Sequence, residues 1–224
     1  MAELYLVRHG QASFGAGNYD RLSPLGERQS RWLGAYFAER ALTFDRAMVG
    51  TLQRQCATVT ALASGLGREL TAEEHTGLNE YDFTTLVRSY RETTDTAQPP
   101  ADDHAAFYRL LKHALLSWAA GKLDDHLPES WEDFKQRIAD VVADIQRPAA
   151  KGERVLVVSS GGPIAAILGA VLALADEQAI ELNMQLYNTS LSRLYFNDRR
   201  MVLAGFNAVP HLDTPGRFDA ITYG

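Results

Sequence analysis

Cysteine is nearly absent from the sequence, which has one, Cys56, among 224 residues. A single thiol excludes an intramolecular disulfide and any zinc site built from several cysteines. Such cysteine usage fits the reducing cytosol, so we expect a cytoplasmic protein. The histidines do not replace the missing thiols, because none of them has the spacing of a metal site, and we expect no metal.

Basic residues are in the minority. Lys and Arg total 22 against 28 Asp and Glu, which gives a formal net charge of −6. Nucleic acids and anionic membranes bind basic surfaces, so we expect neither as a partner. An anionic small molecule needs a local cationic pocket, because the overall field of the protein does not attract it.

No apolar run is long enough to cross a membrane. The most apolar stretch, residues 163–175, falls short of the roughly 20 residues that a spanning helix needs, so it predicts a buried helix. The opening MAELYLVRHG lacks the layout of a secretory signal. Internal repeats and linkers are missing too, and residues 1–224 are expected to form one domain.

Short apolar runs alternate with helical patterns along the chain. Strands are predicted at residues 4–7, 47–49, 154–159, 191–196 and 201–206. Helices are predicted at residues 24–40, 52–64, 103–120 and 130–146, the first two capped by Ser23 and Thr51. The polar stretch 82–98 is only weakly periodic. The alternation predicts an α/β fold, a mostly parallel sheet covered by helices on both faces, with a helical excursion in the middle.

The first predicted strand ends at a histidine. Ligands of parallel α/β sheets bind beyond the carboxyl ends of the strands, which is where Arg8 and His9 lie. An imidazole can attack phosphorus to form a phosphohistidine, and a neighbouring guanidinium can hold the phosphoryl oxygens by paired hydrogen bonds. On these residues alone, a capping or core histidine beside a surface arginine stays an open alternative.

The strand 154–159 also ends in residues suited to an anion, Ser160, Gly161 and Gly162, just before a predicted helix. Helix N-termini bind phosphate, and glycine lets an anion approach the backbone closely. An ordinary strand-to-helix turn explains these residues equally well. A shared site is favoured because both strand ends fall at the same edge of the sheet.

Five motifs in chain order resemble those of the histidine phosphatase (phosphoglycerate mutase-like) superfamily. They are LVRHGQ at 6–11, LS with a later G and Q at 22–29, TLQR with a later T at 51–58, LNE at 78–80, and VVSSGGPI at 157–164. The segments 188–194 and 206–207 are similar to the closing strands of that family. Five ordered motifs are more specific than any one of them, so the resemblance implies a phosphoglycerate mutase-like fold over nearly the whole chain.

The resemblance implies a role for each matching residue. His9 would be the nucleophile that accepts the phosphoryl group, and Glu80 would protonate the leaving oxygen. The phosphate would be bound by Arg8, Arg54, Ser160 and Gly161. Without the resemblance, the favoured interpretation of Arg54 is a surface arginine on an amphipathic helix. That of Glu80 is a solvated carboxylate in a loop. This chemistry requires no metal and no cofactor, and the partner would be a small phosphorylated substrate.

Ser160 departs from the pattern of that superfamily, which places a second histidine at this position. Serine keeps a hydrogen-bond donor but is shorter and uncharged, and loss of one such donor costs about 10²–10³ in turnover. We therefore expect weak activity on generic esters and expect a histidine at position 160 to raise it. His211 is a candidate for the missing group, although packing of the tail is the favoured interpretation.

Three functions are compatible with these residues. The leading hypothesis is a phosphatase that hydrolyses phosphate monoesters through a phosphohistidine on His9. The enzymatic alternative is phosphoglycerate mutase-type transfer, which the stretch 82–98 disfavours because it does not resemble a mutase's substrate-reading segment. The third is a catalytically degenerate protein that binds a phosphorylated ligand, and Ser160 keeps this alternative open.

Overall fold

The computed structural model of the chain describes residues 1–13, 20–100, 102–147 and 150–223, and these contain a six-stranded sheet. Its strands are β1 (Ala2–Arg8), β2 (Arg46–Val49), β3 (Glu73–Glu74), β4 (Arg154–Ser159), β5 (Leu191–Phe196) and β6 (Met201–Ala208). They lie in the order β3-β2-β4-β1-β5-β6. The pairs among β1 to β4 are parallel, and β5 runs antiparallel to both β1 and β6. The predicted mostly parallel sheet is confirmed.

Helices cover both faces of this sheet. They are α1 (Pro24–Glu39), α2 (Gln53–Leu66), α3 (Phe83–Thr94), α4 (His104–Ala119), α5 (Trp131–Ile145), α6 (Gly161–Leu172) and α7 (Asp176–Gln185). Helices α1 and α2 share a core with one face of the sheet, and the helices from α3 to α7 pack in a larger core on the other face. The helical excursion of the middle, predicted from sequence, belongs to this larger core.

Successive side chains of β1 point alternately into the two cores. Leu4 and Leu6 lie in the larger core, and Tyr5 and Val7 lie in the smaller one. Because both faces of β1 and β4 are covered, these strands have continuous apolar sequences rather than an alternating pattern. This is the signal from which both strands were predictable.

Of the two predicted helix N-caps, the one on α1 is confirmed and the one on α2 is wrong. Ser23 caps α1, with its Oγ accepting a hydrogen bond from the Gly26 amide at 3.0 Å. Thr51 does not cap α2, because the Thr51 hydroxyl and amide both bond to the Asn79 side chain at 2.7 Å. The amide of Gln53 instead donates to the Asp20 carboxylate at 2.9 Å, so a residue from a distant loop caps this helix.

The stretch that gave only a weak pattern forms the helix α3. Asp82 caps it by accepting from the amides of Thr84 and Thr85. Phe83, Leu86, Val87 and Tyr90 then pack against the larger core, at the spacing of one helix face. The polar residues between them cover the solvent side and obscure the pattern in the sequence.

The most apolar segment is a buried helix, as predicted, and runs over Gly161–Leu172 in α6. Eight of its twelve residues are buried. None of the helices in the described part of the chain is long and apolar enough to cross a membrane.

Candidate active site

The carboxyl ends of β1 and β4 meet at one edge of the sheet. Arg8 pairs with Ser159 in the parallel register, and the His9 amide donates to the Ser159 carbonyl at 2.8 Å. His9 and Ser160 therefore lie next to each other where the two strands end. Strand β2 ends at the same edge and leads into α2, whose first turn carries Arg54.

His9 is held in one orientation by contacts at both ring nitrogens. Its Nδ1 lies 2.7 Å from the Gly10 carbonyl oxygen, and its Nε2 lies 3.2 Å from Nε of Arg54. A carbonyl only accepts, so Nδ1 carries the proton and the Nε2 lone pair faces Arg54. Burial, and then the charges of Arg54 and Arg8, hold the pKa of His9 well below its usual 6.5. The imidazole is therefore neutral, which is the form that can act as a nucleophile.

Arg54 is buried and anchored by a carboxylate. Its Nη1 lies 2.7 Å from Oδ1 of Asp20, while its Nε points to His9. The planar guanidinium makes both contacts at once, which fixes its orientation before any ligand arrives. Asp20 lies outside every motif, and sequence reasoning did not find it.

Arg8 enters the site from the end of β1. Its guanidinium donates a hydrogen bond to the Leu186 carbonyl through Nη1. Its buried Nε has no hydrogen-bond acceptor among the described residues. An unsatisfied buried donor is costly, and a negatively charged ligand oxygen would satisfy it. Arg8 and Arg54 thus place two positive charges beside His9.

Glu80 faces the same site from the loop before α3. Part of the residue reaches the surface, but its Oε1 is buried with no hydrogen-bond donor among the described residues. Its Oε2 accepts from the Gly162 amide at 3.2 Å. Burial raises the pKa of Glu80, and the charges of Arg54 and Arg8 oppose that rise. A carboxyl group with a raised pKa holds a proton that it can give to a leaving group.

The two glycines that follow Ser160 allow side chains to approach closely. A Cβ at Gly161 would clash with Oδ1 of Asn183. A Cβ at Gly162 would clash with Oε1 of Glu80 and lie 2.6 Å from a ring carbon of Tyr81. Side chains of the site walls thus fill the space beside both glycines, a role that the predicted phosphate contact of Gly161 did not include.

A cavity of about 60 Å³ opens over His9. That volume is several times the roughly 10–15 Å³ that one water needs, so the cavity admits a small polar group. The described residues that line it are Arg8, His9, Arg54, Glu80, Tyr81, Phe83, Phe107, Tyr108, Leu111, Asn183, Met184 and Tyr223. A larger groove of about 720 Å³ lies between α5 and α6 and contains none of the predicted site residues.

Like Gly161, Ser160 is a predicted site residue that the described cavity lining does not include. It is fully buried, and its Oγ accepts a hydrogen bond from Nε2 of Gln55 at 2.9 Å. His211 also lies outside the lining. Its Nε2 lies 2.8 Å from the Thr189 hydroxyl, so it packs the tail against the body, as expected.

Four of the predicted side chains thus converge on one cavity: His9, Glu80, Arg8 and Arg54. Sequence reasoning missed Asn183, which comes from α7 and whose Nδ2 lies 3.2 Å from the Tyr81 hydroxyl. Within the described ranges, His, Cys, Asp and Glu side chains form no group of three that could hold a metal ion.

Comparisons with known proteins give the family. The sequence profile of the histidine phosphatase superfamily (branch 1) matches residues 4–209. A 2,3-bisphosphoglycerate-dependent phosphoglycerate mutase from Nitratidesulfovibrio vulgaris is 28% identical over 213 residues, covering 82% of this chain and 83% of that protein.

Solved structures share the fold at lower identity. The phosphoglycerate mutase from Bacillus anthracis has a TM-score of 0.65 and 19% identity, and the match covers 94% of each chain. The alpha-ribazole phosphatase from Shigella flexneri has a TM-score of 0.63 and 19% identity, over 92% of this chain and 96% of that one. These likenesses concern the fold, whereas the profile spans nearly the whole sequence, and by that match the chain belongs to the histidine phosphatase superfamily.

Proposed function

We propose that this protein is a phosphatase that hydrolyses phosphate monoesters through a phosphohistidine on His9. The observation that carries the proposal is the setting of His9, a buried imidazole that lines the cavity with its Nε2 unprotonated and hydrogen-bonded to Nε of Arg54. Two guanidinium groups and one carboxyl group of raised pKa surround it. This is the set of groups that a two-step phosphoryl transfer requires.

In the first step, Nε of Arg54 exchanges its hydrogen bond to Nε2 of His9 for one to a phosphoryl oxygen. The freed Nε2 lone pair attacks phosphorus while the bond from phosphorus to the ester oxygen breaks. Glu80 gives its proton to that oxygen, so the alcohol leaves neutral and Glu80 becomes a carboxylate. Arg8 and Arg54 stabilise the charge on the equatorial oxygens.

In the second step, a water molecule attacks the phosphohistidine and the bond from phosphorus to Nε2 breaks. The Glu80 carboxylate accepts the proton of that water, which restores the acid for the next turnover. His9 returns to its neutral form, and inorganic phosphate leaves. No other group has to change its protonation state.

The charges of the cavity wall favour hydrolysis over mutase-type transfer. Arg8 and Arg54 are the two cationic residues in the described lining, and both face His9. The residues outside the described ranges, 14–19, 101, 148–149 and 224, include no Lys or Arg. A mutase substrate carries a second anionic group besides the transferred phosphoryl, and this wall offers no further cation for it.

Apart from Glu80, the rest of the described wall is mostly aromatic, and its three tyrosines add hydroxyl groups. It includes Phe83, Phe107 and Leu111, with Asn183 as the one uncharged amide. Such a wall stabilises an apolar alcohol portion by burying its surface, at about 25 cal/mol per Å². The proposal therefore includes monoesters of apolar or aromatic alcohols as the preferred substrates. It also retains a cytosolic location, which the single cysteine supports.

Rapid quench with a labelled aryl phosphate tests the proposal. We expect label that is stable in base and labile in acid, as for a phosphoryl group on nitrogen, and we expect His9→Ala to abolish both label and turnover. His113→Ala is the matched control, because His113 is exposed on α4. Turnover that persists in His9→Ala would contradict the mechanism. Phosphate binding without any turnover would instead favour the degenerate binding protein.

The same preparation tests the substrate class. We expect higher kcat/KM on aryl phosphates than on 3-phosphoglycerate, whose carboxylate has no cation in the wall. Phosphoryl exchange between phosphoglycerates, without net release of phosphate, would favour the mutase alternative.

A further inference from the structure

The Gln55 side chain connects three segments of the site, although it does not line the cavity. Its Nε2 donates to Oγ of Ser160 at 2.9 Å and to the Leu78 carbonyl at 3.0 Å. Its Oε1 accepts from the Leu52 amide at 3.4 Å. Gln55 and Ser160 are both fully buried, so these bonds do not exchange with water.

The Leu78 carbonyl is a branching point in this network. It accepts from Gln55 and also from the Ser159 hydroxyl at 2.7 Å. Leu78 precedes Glu80 by two residues, so the backbone that carries the carboxyl group is tied to α2 and to the end of β4 at once. Because two hydrogen bonds hold Leu78, which is only two residues away, the carboxyl group of Glu80 has little freedom to move.

Consecutive residues of α2 hold the two neighbouring strand ends. Arg54 contacts His9, and Gln55 contacts Ser160. Arg54 acts in the cavity, whereas Gln55 fills the interior behind it. The space is tight, because a Cβ at Gly50 would clash with Oε1 of Gln55.

We infer that Gln55 is a positioning residue of the site, which holds Ser160 and the backbone of Glu80 in place and occupies the space that a longer side chain at position 160 would need. The inference rests on the proposed function for its kinetic consequences. It also modifies the expectation that a histidine at position 160 raises activity, because an imidazole extending along the Ser160 side chain meets the Gln55 amide. Histidine fits there only when Gln55 is shortened.

The kinetic test compares Gln55→Met with Gln53→Met. Met keeps the length of Gln55 but removes both N–H donors, and Gln53 is an exposed glutamine two residues earlier in the same helix. With 4-nitrophenyl phosphate we expect Gln55→Met to lower kcat about tenfold. We expect KM to change little, since Gln55 does not line the cavity.

The pH profile of kcat gives a readout that loss of stability alone would not change. Water that reaches a loosened Glu80 lowers its pKa, so the alkaline limb should move to lower pH in Gln55→Met and stay in place in Gln53→Met. Wild-type kcat and pH profile in Gln55→Met would overturn the inference. So would a rise in KM at unchanged kcat, because it would place Gln55 in substrate binding.

The steric part is tested by thermal unfolding of Ser160→His, Gln55→Ala and the double variant. We expect Ser160→His to lower the Tm by several degrees through overpacking, and the double variant to melt above Ser160→His. A Ser160→His protein as stable as the wild type would overturn this part.

The two proposals fail in distinguishable ways. If the wild type hydrolyses no phosphate ester, the proposed function has failed. The melting temperatures still decide whether Gln55 occupies the space beside Ser160.

Discussion

The Nε2 atom of His9 lies 3.2 Å from the Nε atom of Arg54, whose Nη1 is 2.7 Å from Asp20. One guanidinium thus links His9 to a carboxylate that sequence reasoning did not find. Because Nε2 accepts this hydrogen bond it carries no proton, and its lone pair becomes free when the bond to Arg54 opens.

Arg54→Lys tests whether this geometry matters beyond the charge. The ammonium of lysine cannot reproduce the planar, two-sided contact, so we expect kcat/KM for aryl phosphates to fall about 10²-fold. Arg31→Lys, on the exposed side of α1, serves as the matched control and should leave the kinetics unchanged. Equal activity of Arg54→Lys and wild type would mean that position 54 needs only a positive charge.

Glu80→Gln should reveal the proton donor through the leaving group. An alkyl alkoxide leaves poorly without a proton, so we expect kcat on an alkyl phosphate to fall about 10²-fold or more. The loss on 4-nitrophenyl phosphate should be much smaller, because nitrophenolate leaves unaided. Glu92→Gln, exposed on α3, is the control. Equal losses on the two esters would argue against Glu80 as the acid.

A second prediction for Glu80→Gln concerns the stability of the fold. Burial raises the pKa of Glu80 above that of the unfolded chain, about 4.3, so the folded protein binds this proton more tightly. Glu80 therefore destabilises the fold as the pH rises through the folded pKa. In thermal melts, Glu80→Gln should gain stability over the wild type at pH 8 and lose that advantage at pH 4. An advantage that does not depend on pH would contradict the raised pKa.

Gly162→Ala should displace Glu80 without changing any charge. Its Cβ would meet Glu80 Oε1 and the Tyr81 ring, so we expect kcat to fall about tenfold or more through misplacement of the acid. Gly205→Ala is the control, because nothing lies within 4 Å of a Cβ there. Steady-state kinetics of the two variants, alongside their melting temperatures, separate misplacement from loss of fold.

Much of the fold was predictable because its signals are local. The apolar runs before His9 and Ser160 gave both central strands, and the motif order gave the residues that converge at their ends. Asp20 and Gln55 were not predictable, since their roles depend on contacts between segments far apart in the chain. The surroundings of Ser160 were not predictable for the same reason. Its place at the end of β4 follows from the motif, but its hydrogen bond with the Gln55 amide does not.

The acid stability of the protein should depend on its buried histidines. Burial and the charge of Arg217 lower the pKa of His211 to about 3, whereas an unfolded histidine titrates near 6.5. Stability present above pH 6.5 is therefore lost as the pH falls toward 3, because the unfolded chain takes up protons that the fold excludes. His9, whose pKa is also lowered, acts in the same direction.

His211→Gln removes one of these titrations. Between pH 6 and 4, we expect its unfolding free energy from urea titrations to fall less steeply than that of the wild type, by about 1.4 kcal/mol per pH unit for one proton. His113→Gln, at an exposed position, should follow the wild type. An unchanged slope in His211→Gln would mean that His211 is protonated in the folded state.

The position of β1 has a consequence for synthesis. The first strand lies between two partners from late in the sequence, since Leu6 pairs with Val157 on one side and Ser192 on the other. Closing such long loops is slow, and the strand has no partner while the nascent chain is still short. His9 at the end of β1 is thus synthesised before both partners of that strand and placed only after them. A nascent chain that ends before the codons of β4 has an apolar β1 without either of its partners, and chaperones must shield it from aggregation.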